Sequence, residues 1–382
     1  MRGTKLNKWH IIFYETFQPI VIWYLRLFFD YKCEKVPKGK DNYIVLSNHV
    51  SDYDPIFVAS SFRKQMYFVA SEHIARWGWL YKLIDFLVAP IIRYKGTVAA
   101  STAIDILKKI KAGSNVCVFA EGVRTWDGVS SPILPSTAKL IKKAGCGLYT
   151  YRITGGYFAS PMWGGSNTRR GPVYGAPVNF YSKEQLQSMS TDEIYDVIIA
   201  DLHEDAYARQ LKEPRRYRGK NLAEKLENLM FICPSCGQKD TFISKGNIVS
   251  CKQCDLVYTY DEYGMLHGGE FKTVKEFADW QKEQIRNDVE NNIAYSAEEG
   301  TLSTVKDHKE EFVTKGTLVI SSEGMSCGEF KVALSDISEM AMHGQRAIVF
   351  TAGKQYYELM PSEEANALKF YLYYIEWERQ QK

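Results

Sequence analysis

The sequence of 382 residues predicts an α/β protein, in which a layered, largely parallel sheet with flanking helices precedes smaller β-rich parts. Residues 40–180 alternate short apolar runs with helical segments, the pattern of strand–helix units around a parallel sheet. Residues 231–258 hold four of the eight cysteines, and short β-like segments then run from 311 to 360. The length allows two or three domains.

The composition indicates a globular chain, 45% hydrophobic and 24% charged. Its net charge of +3 is too small to indicate a nucleic-acid partner, and none is expected. The charge is uneven, however. Residues 1–40 hold eight lysines or arginines against three acids, beside many aromatic side chains, which suits an anionic membrane surface.

Residues 1–35 are predicted to form amphipathic membrane-interface helices. The segment 9–29 is apolar but broken by Glu15 and Arg26, which leave ten charge-free residues between them. That is about half of the length that a membrane-spanning helix needs. A pair of helices lying in the interface fits better, and packing on the protein's own core is the alternative. No signal peptide is recognisable, so the expected location is the cytoplasmic face of a membrane, as a peripheral protein.

Residues 36–215 are predicted to form the main α/β domain. The helical segments "AASTAIDILKKIKAG" and "STAKLIKKAG" each end at a glycine, a common helix stop. The predicted buried strands are "YIVLSN", "MYFVAS", "NVCVFAEG" and "LYTYRITGGY". Ligands of such sheets bind beyond the carboxyl ends of the strands.

Polar side chains follow three of the predicted strands at that end. A histidine titrates near neutral pH and can act as a general base, and an arginine matches phosphate or carboxylate. Each side chain also has a plainer interpretation, as a core histidine, a helix cap or a surface ion pair. Together, at successive strand ends, they predict one pocket, which contains Asn48, His49, Asp54, Arg93, Glu121, Gly122 and Arg124.

Two of these segments resemble the signature blocks of glycerolipid acyltransferases. "NHVSDYD" resembles N-H-x-x-x-x-D and "FAEGVRT" resembles F-P-E-G-T-R-S, in the usual order and separation. "APIIRYKG" resembles the block between them, and "LYTYRITGGY" stands where the fourth, apolar block is found. The resemblance covers about residues 10–210 and is closest to 1-acylglycerol-3-phosphate acyltransferases. The departures, among them Ala120 and Tyr151 in place of prolines, bear on the substrate more than on the reaction.

The resemblance implies acyl transfer from a thioester, acyl-CoA or acyl carrier protein, to a lysophospholipid, with 1-acylglycerol 3-phosphate as the expected acceptor. His49 would be the general base and Asp54 would fix its tautomer. The acceptor would be bound by Asn48, Arg93, Glu121, Gly122 and Arg124, with Glu121 holding its hydroxyl. Three alternatives are another lysophospholipid acceptor, a lipid-binding or scaffold protein with a retired site, and metal-dependent hydrolysis at His49 and Asp54. The last lacks further ligands nearby.

The cysteines of residues 231–268 have the spacing C-x2-C-x14-C-x2-C, typical of a tetrahedral Zn²⁺ site. The segment resembles a zinc ribbon, and disulfide-bonded pairs are the alternative. With four ligands in place the zinc is expected to be structural. Few basic residues surround the site, which favours a spacer or protein-contact role. The predicted ligands are Cys233, Cys236, Cys251 and Cys254.

The rest of the chain carries weaker signals. Residues 216–230 and 269–300 are predicted to be helical linkers. Residues 301–382, short strands followed by an aromatic-rich helix, are predicted to form a β-rich domain similar to PH or GRAM domains. A lipid headgroup or a partner protein is its expected ligand if it binds one, and the aromatic side chains alone are typical of a core.

Overall fold

A computed structural model describes residues 8–72, 74, 78–93, 100–306 and 309–382. The chain divides into two compact units. The first unit comprises, within the described residues, the segments up to 93, 100–162 and 168–219. The second comprises Lys220–Lys382 and the short segment Trp163–Asn167.

The first unit is built on a seven-stranded sheet, and its order and direction confirm the predicted α/β class. All neighbouring strands are parallel except one antiparallel pair, the sixth and seventh. The spatial order is β1-β7-β6-β2-β5-β3-β4. The strands are β1 (Lys32–Cys33), β2 (Tyr43–Ser47), β3 (Met66–Ser71), β4 (Ile91–Arg93), β5 (Asn115–Phe119), β6 (Gly147–Thr154) and β7 (Tyr174–Tyr181).

Nine helices accompany this sheet within the described residues. The helix at 136–144 ends at Gly145, whose φ of 63° is left-handed, as the sequence predicts for a glycine stop. Every residue of β2 is buried, so this strand lies in the core. The helices are α1 (Lys8–Phe29), α2 (Asp54–Ser61), α3 (Trp79–Val88), α4 (Ala100–Lys111), α5 (Ser136–Ala144), α6 (Gly156–Ala159), α7 (Lys183–Ser188), α8 (Thr191–Leu202) and α9 (Ala206–Lys212).

The N-terminal segment is one 22-residue helix, α1, and not the predicted pair. Pro19 lies inside the helix without ending it. Contacts with α2 hold this part of α1 in place, because Tyr14 and Gln18 both donate hydrogen bonds to the carbonyls of Ala59 and Phe62. These bonds offset the cost of one lost backbone hydrogen bond at the proline.

Among its described residues, the second unit contains two antiparallel sheets and two α-helices. The seven-stranded sheet confirms that the C-terminal part is rich in β structure. That residues 301–382 form a separate domain similar to PH or GRAM domains stays a prediction. The small sheet consists of β8 (Phe242–Lys245), β9 (Ile248–Cys251), β10 (Val257–Tyr260) and β11 (Leu266–His267), followed by α10 (Val274–Glu290). The large sheet has the order β15-β14-β13-β12-β18-β17-β16 and consists of β12 (Tyr295–Lys306), β13 (Lys309–Ser321), β14 (Gly324–Cys327), β15 (Phe330–Val332), β16 (Ile337–His343), β17 (Ala347–Ala352) and β18 (Gln355–Pro361), before α11 (Ala367–Gln381).

Of the two segments predicted to be helical linkers, 216–230 is not an α-helix, whereas 269–300 contains the helix α10. Residues 216–230 contain a single 3-10 turn, Leu226–Asn228, and otherwise follow turns and irregular backbone. In the other segment α10 belongs to the core of the second unit. Its Gln281, almost fully buried, accepts hydrogen bonds from the backbone of Phe231 and Ile232 and donates one to the Leu229 carbonyl.

Candidate active site

The predicted site residues lie at or just beyond the carboxyl ends of parallel strands of the first unit. Arg93 ends β4, Asp54 begins α2, and the others lie in the loops after β2 and β5. β2 and β5 pair in register up to Ser47 and Phe119, so both chains leave the sheet at the same edge. Two backbone hydrogen bonds tie the loops together beyond the strands, from Ala120 to Ser47 (3.2 Å) and from Thr125 to His49 (3.0 Å). The corner is therefore a fixed backbone framework.

His49 and Asp54 form the hydrogen-bonded pair that the sequence predicts. His49 Nδ1 lies 2.8 Å from Asp54 Oδ2, and the imidazole stacks on the ring of Phe119. Asp54 is fully buried and also accepts hydrogen bonds from the backbone of Val50 and Ser51 and from the Ser51 hydroxyl. These donors fix the orientation of the Asp54 side chain so that Oδ2 faces His49 Nδ1, and a proton on Nδ1 completes this hydrogen bond. Nε2 is then the ring nitrogen that can accept a proton.

Asn48 does not have the predicted role of a substrate contact. Its side chain is fully buried, donates to the Ile153 carbonyl (2.9 Å) and accepts from the Ile153 amide (2.8 Å). Both polar atoms of the amide are thus paired with β6. Asn48 anchors the loop that carries His49, because it replaces the ladder bonds where β2 ends.

Glu121 also points into the protein. One carboxyl oxygen accepts the His49 amide (3.0 Å) and the other accepts the Ser131 amide (2.7 Å). Burial raises the pKa of this carboxyl to about 8, although the two backbone hydrogen bonds lower it. In this geometry Glu121 holds the backbone of His49 and Ser131, and its contact with the acceptor hydroxyl stays a prediction.

Gly122 and Arg93 meet at the edge of the site. Gly122 has a φ of 71°, and a Cβ on it would lie 3.4 Å from Arg93 Nη1. Glycine therefore serves both the left-handed backbone and the close approach of the guanidinium. Arg93 Nε is buried and has no hydrogen-bond partner in the described part of the chain. An unpaired buried donor on a cation is suited to an anionic ligand.

Arg124 forms an ion pair with a residue of the loop that carries His49. Its Nη1 lies 2.9 Å from Asp52 Oδ2. Sequence reasoning did not single out Asp52, nor the residues Ser51 and Phe119 that support Asp54 and His49. The position of Asp52 inside the N-H-x-x-x-x-D segment was the available signal.

The comparison with protein families bears on this same region. A family model described as Acyltransferase matches residues 29–154. This segment is an acyltransferase domain. It spans about a third of the chain and contains all seven residues of the predicted pocket.

Among solved structures, the chain resembles PlsC, the 1-acyl-sn-glycerophosphate (LPA) acyltransferase of Thermotoga maritima. The two proteins are 21% identical, the match covers 53% of this chain and 80% of that one, and the TM-score is 0.41. No curated protein matches the chain.

Outside the acyltransferase domain, four of the five cysteines of the second unit, Cys233, Cys236, Cys251 and Cys254, form a cluster that could hold a metal ion. Their sulfur atoms all lie within 4.8 Å of one another. Two pairs, Cys233 with Cys254 and Cys236 with Cys251, are separated by 3.6 and 3.8 Å. Four sulfurs bonded to one zinc at about 2.3 Å in a tetrahedron lie about 3.8 Å apart, so the donor set fits. All four thiols are free, which disagrees with the disulfide alternative.

Proposed function

We propose that this protein is a peripheral membrane acyltransferase. It transfers a fatty acyl group from acyl-CoA or acyl carrier protein to the free hydroxyl of 1-acylglycerol 3-phosphate, which gives phosphatidic acid. The observation that carries this proposal is the hydrogen bond between His49 and the buried Asp54 in an acyltransferase domain. A histidine oriented in this way activates a hydroxyl that the substrate itself supplies.

The chemistry requires no nucleophile from the protein. His49 Nε2 removes the proton of the acceptor hydroxyl while the hydroxyl oxygen attacks the thioester carbonyl. The imidazolium formed is stabilised by Asp54. When the tetrahedral intermediate collapses, the carbon–sulfur bond breaks. The leaving thiolate then takes from His49 the proton that came from the acceptor hydroxyl. The products are an ester and a free thiol, and the histidine is restored.

Two arginines support an acceptor that carries phosphate. Arg93 lies beside Gly122, and its buried Nε has no hydrogen-bond partner among the described residues. Arg124 follows Gly122 in the loop after β5 and contacts Asp52. A guanidinium binds phosphate oxygens in a bidentate manner, which fixes the acceptor relative to His49. Glu121 holds the loop and so contributes without touching the phosphate.

The exposed faces of α1 and α3 support membrane binding. The side of α1 that carries Tyr14 and Gln18 bonds to α2, whereas many of its large apolar side chains are exposed. α3 has no buried residue at all. An apolar cavity of about 420 Å³ lies between the two helices. No described helix is long and apolar enough to cross a membrane. The exposed apolar faces of α1 and α3 are suited to binding in the interface. The large apolar side chains exposed on the two helices are Trp9, Ile12, Phe17, Ile20, Trp23, Tyr24, Leu27, Phe28, Trp79, Leu80, Leu83, Phe86 and Val88.

For the cysteine cluster we propose a structural Zn²⁺. Four thiolates complete a tetrahedral shell and leave no position for a substrate. The metal would tie the turn that holds Cys233 and Cys236 to the end of β9 and the turn that follows it, as metal sites do in small folds with little core of their own.

The decisive experiment measures ester formation by mass spectrometry with each donor, with and without 1-acylglycerol 3-phosphate. Detection of the lipid product avoids thiol reagents, which would react with the eight cysteines. His49→Ala should lower kcat by about 10²–10⁴, the usual contribution of a general base. The exposed His203 supplies the matched control His203→Ala. Full activity in His49→Ala would disprove the mechanism, and no product from the wild type with either donor would favour another acceptor or a binding protein.

A further inference from the structure

Asp52 and Asp54 lie two residues apart but face opposite environments. Asp54 is fully buried and bonded to His49. The Asp52 side chain is 68% exposed and contacts Arg124, whose own side chain is only 14% exposed. One short loop therefore supplies the catalytic histidine with its carboxylate and gives a second carboxylate to a cation of the candidate phosphate site.

We propose that Asp52 is a specificity-determining residue that occupies Arg124 in the free protein and competes with the phosphate of the acceptor. This inference rests on the proposed function, because it concerns the same site. Acceptor binding is then an exchange, in which a phosphate oxygen replaces Asp52 Oδ2 on the guanidinium.

The geometry favours such an exchange. A carboxylate and a phosphate use the same guanidinium donors, so they cannot both hold Nη1. Arg124 is largely enclosed and stays in place, whereas Asp52 is mostly in water and loses little when it turns away. Arg93 differs, since its Nε has no partner in the described chain. Arg124 is therefore the guarded cation of the site, since a carboxylate holds its guanidinium.

The guarded cation has a consequence for turnover. The product carries the same phosphate as the acceptor. A site without a competing carboxylate would therefore bind both the acceptor and the product tightly. When Asp52 returns to Arg124 it displaces the product phosphate. Asp52 thus weakens the binding of phosphate-bearing lipids and leaves neutral lipids unaffected.

The kinetic test compares Asp52→Asn with Asp105→Asn, which makes the same charge change in another exposed ion pair. Asp52→Asn should lower KM for 1-acylglycerol 3-phosphate about two- to fivefold, the effect of one exposed charge pair. It should leave KM for monoacylglycerol unchanged, and its effect should shrink as salt is added. In an Arg124→Gln background the substitution should have no effect. An unchanged KM, or an equal change for the neutral acceptor, would overturn the proposal.

A binding measurement separates this inference from the proposed reaction. Calorimetric titration with 1-hexanoylglycerol 3-phosphate and 1-hexanoylglycerol avoids micelles and needs no turnover. We expect Asp52→Asn to bind the phosphate ester more tightly than the wild type does, and to bind 1-hexanoylglycerol with unchanged affinity. Tighter binding without acyl transfer would contradict the proposed function and support the exchange. Equal affinity in the two proteins, or no binding of the phosphate ester by either, would refute the exchange even if acyl transfer is observed.

Discussion

Glu121→Gln tests whether the acid of the second signature block supports the backbone or contacts the acceptor. In the wild type both carboxyl oxygens accept backbone amides, one from His49 and one from Ser131. A glutamine has one oxygen, so its amino group must face one of these two donors. The loss of one buried hydrogen bond costs about 1–3 kcal/mol.

The pH dependence gives a sharper signature. Burial raises the pKa of Glu121 from its ordinary value of 4.5 to about 8. Between these values the folded protein keeps a proton that the unfolded chain has released, so the free energy of unfolding falls as pH rises. The stability that the protonated Glu121 side chain provides is fully present below pH 4.5 and is lost as pH rises through 8. A difference of this size corresponds to a loss on the order of 3–5 kcal/mol.

The assay is the melting temperature of the full chain from pH 5 to 9, reported as wild type minus Glu121→Gln. Other titrating groups cancel in this difference. We expect the wild type to be more stable at pH 5 and its advantage to shrink steadily toward pH 8. Glu213, with a side chain 65% exposed, supplies the control Glu213→Gln, whose difference should stay flat.

A pH-independent difference for Glu121→Gln would refute the raised pKa and the reasoning behind it. Kinetics then decide the role. Support of the His49 backbone predicts a lower kcat with an acceptor KM that changes little, because the base is displaced while the phosphate contacts remain. A contact between Glu121 and the acceptor hydroxyl predicts instead that KM rises when the carboxylate is replaced.

Two further predictions concern the cysteine cluster and the exposed helices. The chain should contain one Zn²⁺ by elemental analysis, and Cys236→Ser or chelation should lower the melting temperature; an unchanged melting temperature without metal would disprove a structural role. Trp23→Glu and Phe86→Glu, at side chains 66% and 65% exposed, should weaken sedimentation with anionic vesicles. Phe312→Glu, 68% exposed in the second unit, is the matched control, and an equal loss in all three variants would argue against binding through α1 and α3.

Local patterns in the sequence predicted the frame of the acyltransferase domain. The predicted pairing of His49 with Asp54 depended on the polar cluster after the next buried strand and on the resemblance to the acyltransferase signature blocks. The two residues are close along the chain, and the hydrogen bond between them is present. The cysteine spacing likewise predicted the cluster of the second unit. In these cases the partners are close along the chain, or the chemistry of the donor set allows few arrangements.

Predictions from the sequence were wrong where contacts with residues distant along the chain determine the local structure. Residues 216–230 are charged and helix-like in composition, but Leu222 and Ala223 bond to the turn at Gly246 and Asn247. Such bonds compete with the i to i−4 pattern of a helix, and the pairing depends on a strand turn more than 20 residues away. Neither periodicity nor composition contains that information.

The loop from Asn48 to Asp54 shows the same limit at the scale of single side chains. The motif places Asn48, Asp52 and Asp54 at one corner, yet Asn48 and Asp54 turn inward and Asp52 turns to Arg124. What decides each direction is a partner that the motif does not contain, such as Ile153 of β6 for Asn48. A signature motif therefore identifies the corner where chemistry occurs, whereas the division between scaffold, base and binding group depends on the tertiary contacts around it.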